Sequence, residues 1–104
     1  MHNCDVSILV LAHNKAAYTR RCLDSLFLST LRPFEVVLVD NGSTDEIPQV
    51  FSDFETRAAG EQISVKRLRH EQNVGAIVGR NSGMEVMSGL YWTFVDNDIV
   101  VRSR

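Results

Sequence analysis

Two apolar runs constrain what this chain can fold into. Val6 to Leu11 and Glu35 to Val39 are almost continuously aliphatic and rich in β-branched side chains. A strand with one wet face alternates apolar and polar residues. A strand without that alternation is covered on both faces, the habit of parallel sheets flanked by helices. Between the two runs the period changes. Tyr18, Cys22 and Leu26 fall at i, i+4 and i+8, with Leu23 and Phe27 beside them. This is an amphipathic helix, with Asn14 placed to cap it and Arg32-Pro33 to stop it. A second helical stripe is formed by Ile47, Val50, Phe51 and Phe54. Ser43 or Thr44 is its expected cap, Asp45 and Glu46 lie in its first turn, and Gly60 closes it.

The remainder continues the alternation. Ile63 to Leu68 reads as a more amphipathic strand, suited to a sheet edge, and Arg69 to Val74 as a polar loop. A third helix is expected from Gly75 or Ala76 to Ser88, ended by Gly89. Tyr91 to Val95 is a fourth strand, and Ile99 to Val101 begins a short fifth. Strands and helices alternating through short connections predict an α/β fold: a Rossmann-like parallel sheet with helices on both faces, in the order 3-2-1-4. In that order the chain changes direction beside strand 1, and ligands bind outside the carboxyl ends of the strands at such a point.

Composition bounds the function. With 104 residues, 44% hydrophobic and 23% charged, the chain is one ordinary globular unit. A formal charge of −2 lacks the basic footprint of nucleic-acid binding. The longest apolar stretch, Ile8 to Ala12, is too short to span a bilayer, and the first residues lack a basic secretory start. Cys4 and Cys22 have no metal-ligand spacing, so they read as free thiols and the expected location is cytoplasmic.

The carboxyl ends of the predicted strands carry the chemistry. Ala12, His13 and Asn14 follow strand 1, Asp40 and Asn41 follow strand 2, and Asp96, Asn97 and Asp98 follow strand 4. Any one of these clusters has a bland reading: Asp40 before Asn41-Gly42 suits a turn as well as a ligand. All three around one crevice are harder to explain as turns. Asp96 and Asp98, two carboxylates flanking one residue, suit a hard divalent cation. Asn73, Gly75, Gly79, Arg80, Asn81 and Gly83 form a further constellation. Spacing favours helix–sheet packing for Gly79 and Gly83, while Arg80 can pair with a phosphate or an aspartate.

These pieces jointly resemble the family 2 glycosyltransferases with a GT-A fold: Val6 to Val10 with Asn14 after it, Val39-Asp40-Asn41-Gly42-Ser43-Thr44-Asp45, Asn73-Val74-Gly75, Arg80-Asn81 and Phe94-Val95-Asp96-Asn97-Asp98. The resemblance implies that residues 1–104 are the nucleotide-sugar-binding half of such a domain, truncated after the acidic pair. It implies Mg2+ or Mn2+ held by Asp98 and Asp96, and an inverting transfer from a nucleotide-diphosphate sugar. Ala12, His13 and Asn14 would border the base and ribose, and Asp40 would bond the base. Asn73, Gly75, Arg80, Asp96 and Asn97 complete the implied donor site. The chain departs from the family where Ala12 replaces a common proline and His13 replaces a common tyrosine. In this family the general base lies well downstream of the metal motif, so no catalytic base is expected here.

A non-catalytic nucleotide-binding or regulatory module is the alternative. A receiver domain is disfavoured because strand 1 ends in Ala12-His13 rather than paired acids, and a dinucleotide-binding domain because no GxGxxG follows strand 1. Ending the chain after strand 4 is expected to leave Trp92, Phe94 and Ile99 uncovered and to favour a homo-oligomer through the open sheet edge.

Overall fold

The computed structural model describes residues 5–28 and 34–96. Four strands form one sheet in the order β3-β2-β1-β4, all neighbours parallel. The strands are β1 Val6–Ala12, β2 Phe34–Asn41, β3 Ile63–His70 and β4 Tyr91–Asp96. The helices are α1 Ala16–Leu26, α2 Ile47–Ala58 and α3 Ala76–Met84. The two central strands are the two apolar runs, and the more amphipathic β3 lies at an edge, as its pattern requires. No helix among the described residues is long and apolar enough to cross a membrane.

Each face of the sheet has its own core. On one face Val10, Ala12, Val36 and Leu38 meet Leu23 and Leu26 of α1 and Ile47, Val50, Phe51 and Phe54 of α2. On the other, Leu9, Val37 and Val39 meet Met84, Val86 and Met87, with α3 lying over β1 and β2. The period of two along β1 and β2 deals successive aliphatic residues to opposite cores, which is why neither strand alternates in polarity. α3 lies close to the sheet because it presents glycine there. A Cβ on Gly83 would lie 2.4 Å from Leu9 Cδ1 and 3.0 Å from Val39 Cγ2, and one on Gly79 would lie 2.9 Å from Leu11 Cδ1.

Several boundaries differ from the sequence reading, each for a local reason. The buried stripe of α1 is Thr19, Cys22, Leu23 and Leu26, while Tyr18 is exposed and stacks with Arg21. The helix ends at Leu26, ahead of the expected stop at Arg32-Pro33, which lies outside the described residues. Asn14 does not cap α1. It adopts φ 58°, and its side-chain oxygen accepts from the Thr44 N–H. The cap comes from Asp45, whose Oδ2 accepts from Ala16 N–H and whose Oδ1 accepts from Ile47 N–H. One carboxylate thus serves two helix starts, so α2 begins at Ile47 and neither Asp45 nor Glu46 lies in its first turn.

β3 runs on through Arg69 and His70, because both find partners across the ladder at Asp40 and Asn41. α3 ends at Met84, short of Ser88, because the Ser88 N–H is taken by the Glu35 carboxylate at the foot of the sheet. The expected fifth strand at Ile99 to Val101 lies outside the described residues.

The close contact of α3 yields a paired test. Gly83→Ala should lower stability by about 1–3 kcal/mol through overpacking against Leu9 and Val39. Gly60→Ala, where a Cβ meets nothing within 4 Å, should be neutral or slightly stabilising. Urea denaturation of both variants checks this, and equal midpoints would contradict the packing assigned to α3.

Candidate functional site

The parallel register brings the chemistry-bearing residues to one end of the sheet. Ala12 is level with Asp40, and Leu11 with Asp96. Asp40 is level with Arg69, and Asn41 with His70. The two acids at the ends of β2 and β4 therefore flank the end of β1. With strands about 4.8 Å apart, their backbones are roughly 10 Å from each other. The turn Ala12-His13-Asn14 rises between them.

Asp40 is buried, and both of its oxygens are engaged. Oδ1 accepts from the Ser43 N–H at 2.9 Å, closing the turn after β2, and Oδ2 accepts from Arg69 Nη1 at 2.8 Å. Arg69 also donates to the Ser43 carbonyl and keeps half of its side chain exposed at the crevice rim. A carboxylate removed from water needs a cation and further donors, and this one has both. Sequence reading had assigned Arg69 to a loop without a role. The signal that points to it is the demand of a buried aspartate at the end of β2 for a partner on the next strand.

Asn41 joins the two walls of the crevice. Its side-chain oxygen accepts from Val74 N–H at 3.0 Å, and its amide nitrogen donates to Asn73 Oδ1 and to the Gly75 carbonyl. Its own carbonyl accepts from His13 Nδ1 at 2.8 Å. A carbonyl only accepts, so the His13 proton sits on Nδ1, and in the neutral ring Nε2 is an acceptor. His13 itself is exposed. Gly42, at φ +73°, lets the Gln72–Asn73 backbone lie directly on it; a Cβ there would come within 2.5 Å of Asn73 N. Asn73 closes its own loop by accepting from Gly75 N–H. Gly75, at φ +88°, borders open space, in contrast to Gly79 and Gly83, which lie against the sheet.

Asn14 completes the turn from the other side, donating its N–H to Ser43 Oγ and accepting from Thr44. Hydrogen bonds thus link the turns after β1 and β2 and the Asn73–Gly75 loop at the carboxyl end. Arg80 lies over the Phe94 ring, 5.8 Å from its centroid, two residues before Asp96 in β4. Asn97 and Asp98 lie outside the described residues, and Asp96 is located here by its backbone register alone. Among the described residues no group of three or more His, Cys, Asp or Glu side chains is arranged to hold a metal.

One arrangement resembles a nucleophile and its base but is not one. His70 Nε2 lies 2.9 Å from Ser82 Oγ. The Ser82 proton goes to the Val78 carbonyl, so the hydroxyl accepts from the ring, the reverse of activation.

Comparison with known proteins bears on the family and the fold. The model of the family described as Glycosyl transferase family 2 matches residues 7–103. The glycosyltransferase GlyA of Streptococcus pneumoniae is 36% identical over 94 residues, which cover 89% of this chain and 13% of GlyA. The crystal structure of S. aureus TarS residues 1–349 in complex with UDP-GlcNAc superposes with a TM-score of 0.78 at 30% identity, covering 90% of this chain and 26% of that one. The mannosyltransferase PcManGT from Pyrobaculum calidifontis, in complex with GDP-Man and Mn2+, gives a TM-score of 0.82 at 21% identity over 93% of this chain and 28% of that one, a likeness of fold. The chain spans well under a third of the length of these proteins.

Asn41→Ala should leave the Val74 N–H without its partner, at about 1–3 kcal/mol if that group stays dry, while Asn73 Oδ1 and the Gly75 carbonyl keep the N–H groups of Gly75 and Gly79. Amide exchange read residue by residue should accelerate at Val74 and Gly75 and stay unchanged in α2. An unchanged Val74 rate would rule out Asn41 as the link between the walls.

Proposed function

This chain belongs to glycosyl transferase family 2, and we propose that it is the donor-binding part of an inverting glycosyltransferase that takes a nucleotide-diphosphate sugar. The observation carrying this reading is the register that sets Asp40 and Asp96 on either side of the end of β1, at the point where the strand order reverses. The nucleotide would lie over Ala12, His13 and Asn14, with Asp40 and its Arg69 partner beside the base. His13 Nε2 offers an acceptor there. Asn73, Gly75 and Arg80 would form the other wall, and the ribose and diphosphate are assigned to Asp96 and Asn97. TarS, solved in complex with UDP-GlcNAc, makes a uridine diphosphate sugar the first donor to test.

A divalent cation, Mg2+ or Mn2+, fits the donor set that Asp96 and Asp98 supply, since both ions favour carboxylate oxygen. When bound, it would neutralise the charge that develops on the diphosphate leaving group. The chain's own residues then have simpler tasks. The β1 turn and Asp40 orient the nucleoside, Asn41 fixes the facing loop, and Arg80 supplies a fixed positive charge. We assign no general base among residues 1–104, and the acceptor is left to sequence that the longer relatives have beyond the matched part. A second copy is the proposed partner at the β4 edge, where Tyr91, Trp92 and Phe94 are exposed. A clean monomer in sedimentation equilibrium at micromolar concentration would remove that proposal.

Calorimetric titration with UDP tests the main reading. Binding should be weak and should require Mn2+. Asp98→Ala should lose the metal dependence with the fold intact. Equal binding by variant and parent in Mn2+ would make the metal assignment wrong. Asp40→Ala should weaken UDP and uridine alike by severalfold to about tenfold, the worth of about one hydrogen bond. If Asp40→Ala lowers thermal stability and leaves affinity unchanged, Asp40 is a turn residue with no part in the site.

A further inference from the structure

The end of the sheet opposite the crevice holds a buried carboxylate to which the proposed donor chemistry gives no role. Glu35 is 2% exposed and faces the same side as α3. Its Oε1 accepts from Ser7 Oγ–H at 2.6 Å and from Ser88 N–H at 3.0 Å. Its Oε2 accepts from Ser88 Oγ–H at 3.0 Å and lies 2.9 Å from Lys66 Nζ. Ser7 belongs to β1, Lys66 to β3 and Ser88 to the connection between α3 and β4, so three separate pieces of chain converge on one side chain.

The connection is bound on both sides of Ser88 as well. Lys66 donates to the Val86 carbonyl, and Gly89 N–H donates to Ser7 Oγ at 2.8 Å. Gly89 packs backbone against backbone, since a Cβ there would lie 2.7 Å from Ser7 N. Trp92 then donates its indole N–H to the Gly89 carbonyl at 2.9 Å, and Tyr91 N–H donates to Asp5 as β4 begins.

We propose that Glu35 is a positioning residue for β4: it fastens the α3–β4 connection to the foot of the sheet and so sets the register in which Asp96 arrives at the crevice, four residues or roughly 13 Å away along the strands. The part concerning Asp96 rests on the donor-site reading; the fastening itself does not. All four contacts are donors aimed at two acceptor oxygens. A proton on the carboxyl removes the charge that Lys66 Nζ faces and obliges one of the serine hydroxyls to turn from donor to acceptor. Among the described residues Lys66 is the charged group that faces Glu35, and β1 and the connection present the hydroxyls of Ser7 and Ser88.

Burial alone would raise the Glu35 pKa. The donors from Ser7, Lys66 and Ser88 outweigh it and hold the carboxyl below its ordinary value. A carboxylate whose folded value is depressed stabilises the fold above the unfolded value, about 4.3, and that stability is lost as pH falls through the folded value. This contribution is therefore fully present at neutral pH and is lost in acid.

Trp92 is the chain's single tryptophan and touches this connection directly, so its emission reports the state of the fastening. In the full chain, the wild-type signal should change in acid at a pH where far-UV circular dichroism still reports intact helices. Glu35→Gln should show the changed signal already at pH 7 and titrate no further. Exchange of the Ser88, Gly89 and Tyr91 amides should rise at least tenfold in it, with α2 unchanged. If Glu35→Gln fails to fold, Lys66→Met carries the test, because losing the cation should move the Trp92 transition to higher pH.

Identical Trp92 titrations in wild type and Glu35→Gln, or an unmoved transition in Lys66→Met, overturn the proposal. UDP–Mn2+ affinity separates its second half. Several-fold weaker binding by Glu35→Gln supports the positioning of Asp96, and equal binding overturns it. A wild type that binds no UDP is instead a failure of the donor-site reading.

Discussion

A strand buried along its whole length can carry polar side chains only if each one finds its partners inside the protein. β2 is such a strand: all eight residues from Phe34 to Asn41 are buried, and three of them, Glu35, Asp40 and Asn41, are polar. Much of the rest of the molecule is arranged around satisfying these three. Glu35 draws the α3–β4 connection down to the amino end of the sheet. Asp40 closes the turn into α2 and fixes Arg69 on the neighbouring strand. Asn41 fastens the Asn73–Gly75 loop and orients His13. Removing any one of these side chains takes a hydrogen-bond partner from another part of the chain, which ties the crevice to the stability of the central strand.

The arrangement also explains which features were legible beforehand. Continuous aliphatic runs, amphipathic helices and short connections specify a parallel sheet in the order found, and glycines at positions 79 and 83 suit a helix lying close to it. These signals are periodic and local. The hydrogen bonds that shape the site join residues about 30 positions apart, such as Asp40 with Arg69 and Asn14 with Thr44. No spacing rule announces such pairs. Asn14 beside a helix start reads as its cap, yet Asp45 takes that place because the two helix starts lie side by side in space. α3 reads as continuing to Ser88 because nothing near Ser88 reveals that Glu35, more than fifty residues earlier, captures its N–H.

Membership of the family and the geometry of the crevice bear on different parts of the function. Membership rests on the match to the family model from residue 7 to residue 103, and the reaction class is a proposal drawn from it. The geometry supplies an order of parts at the carboxyl ends: a β1 turn with an oriented imidazole, a buried acid paired with a half-exposed guanidinium at the rim, and a loop held by one asparagine. The proposed role is accordingly donor binding, in a chain that spans a minor share of each relative.

Chemical-shift mapping with UDP and Mn2+ tests this most directly. UDP with a diamagnetic Mg2+ control should perturb His13, Asn14, the turn from Asn41 to Thr44, and Asn73 to Gly75. Substituting Mn2+ should broaden signals most strongly from Asp96 onward, with the effect fading toward the foot of the sheet. Perturbations centred instead on the outer faces of α1 and α2, or on Ser7, Lys66 and Ser88, would contradict a donor site at the carboxyl ends of the strands.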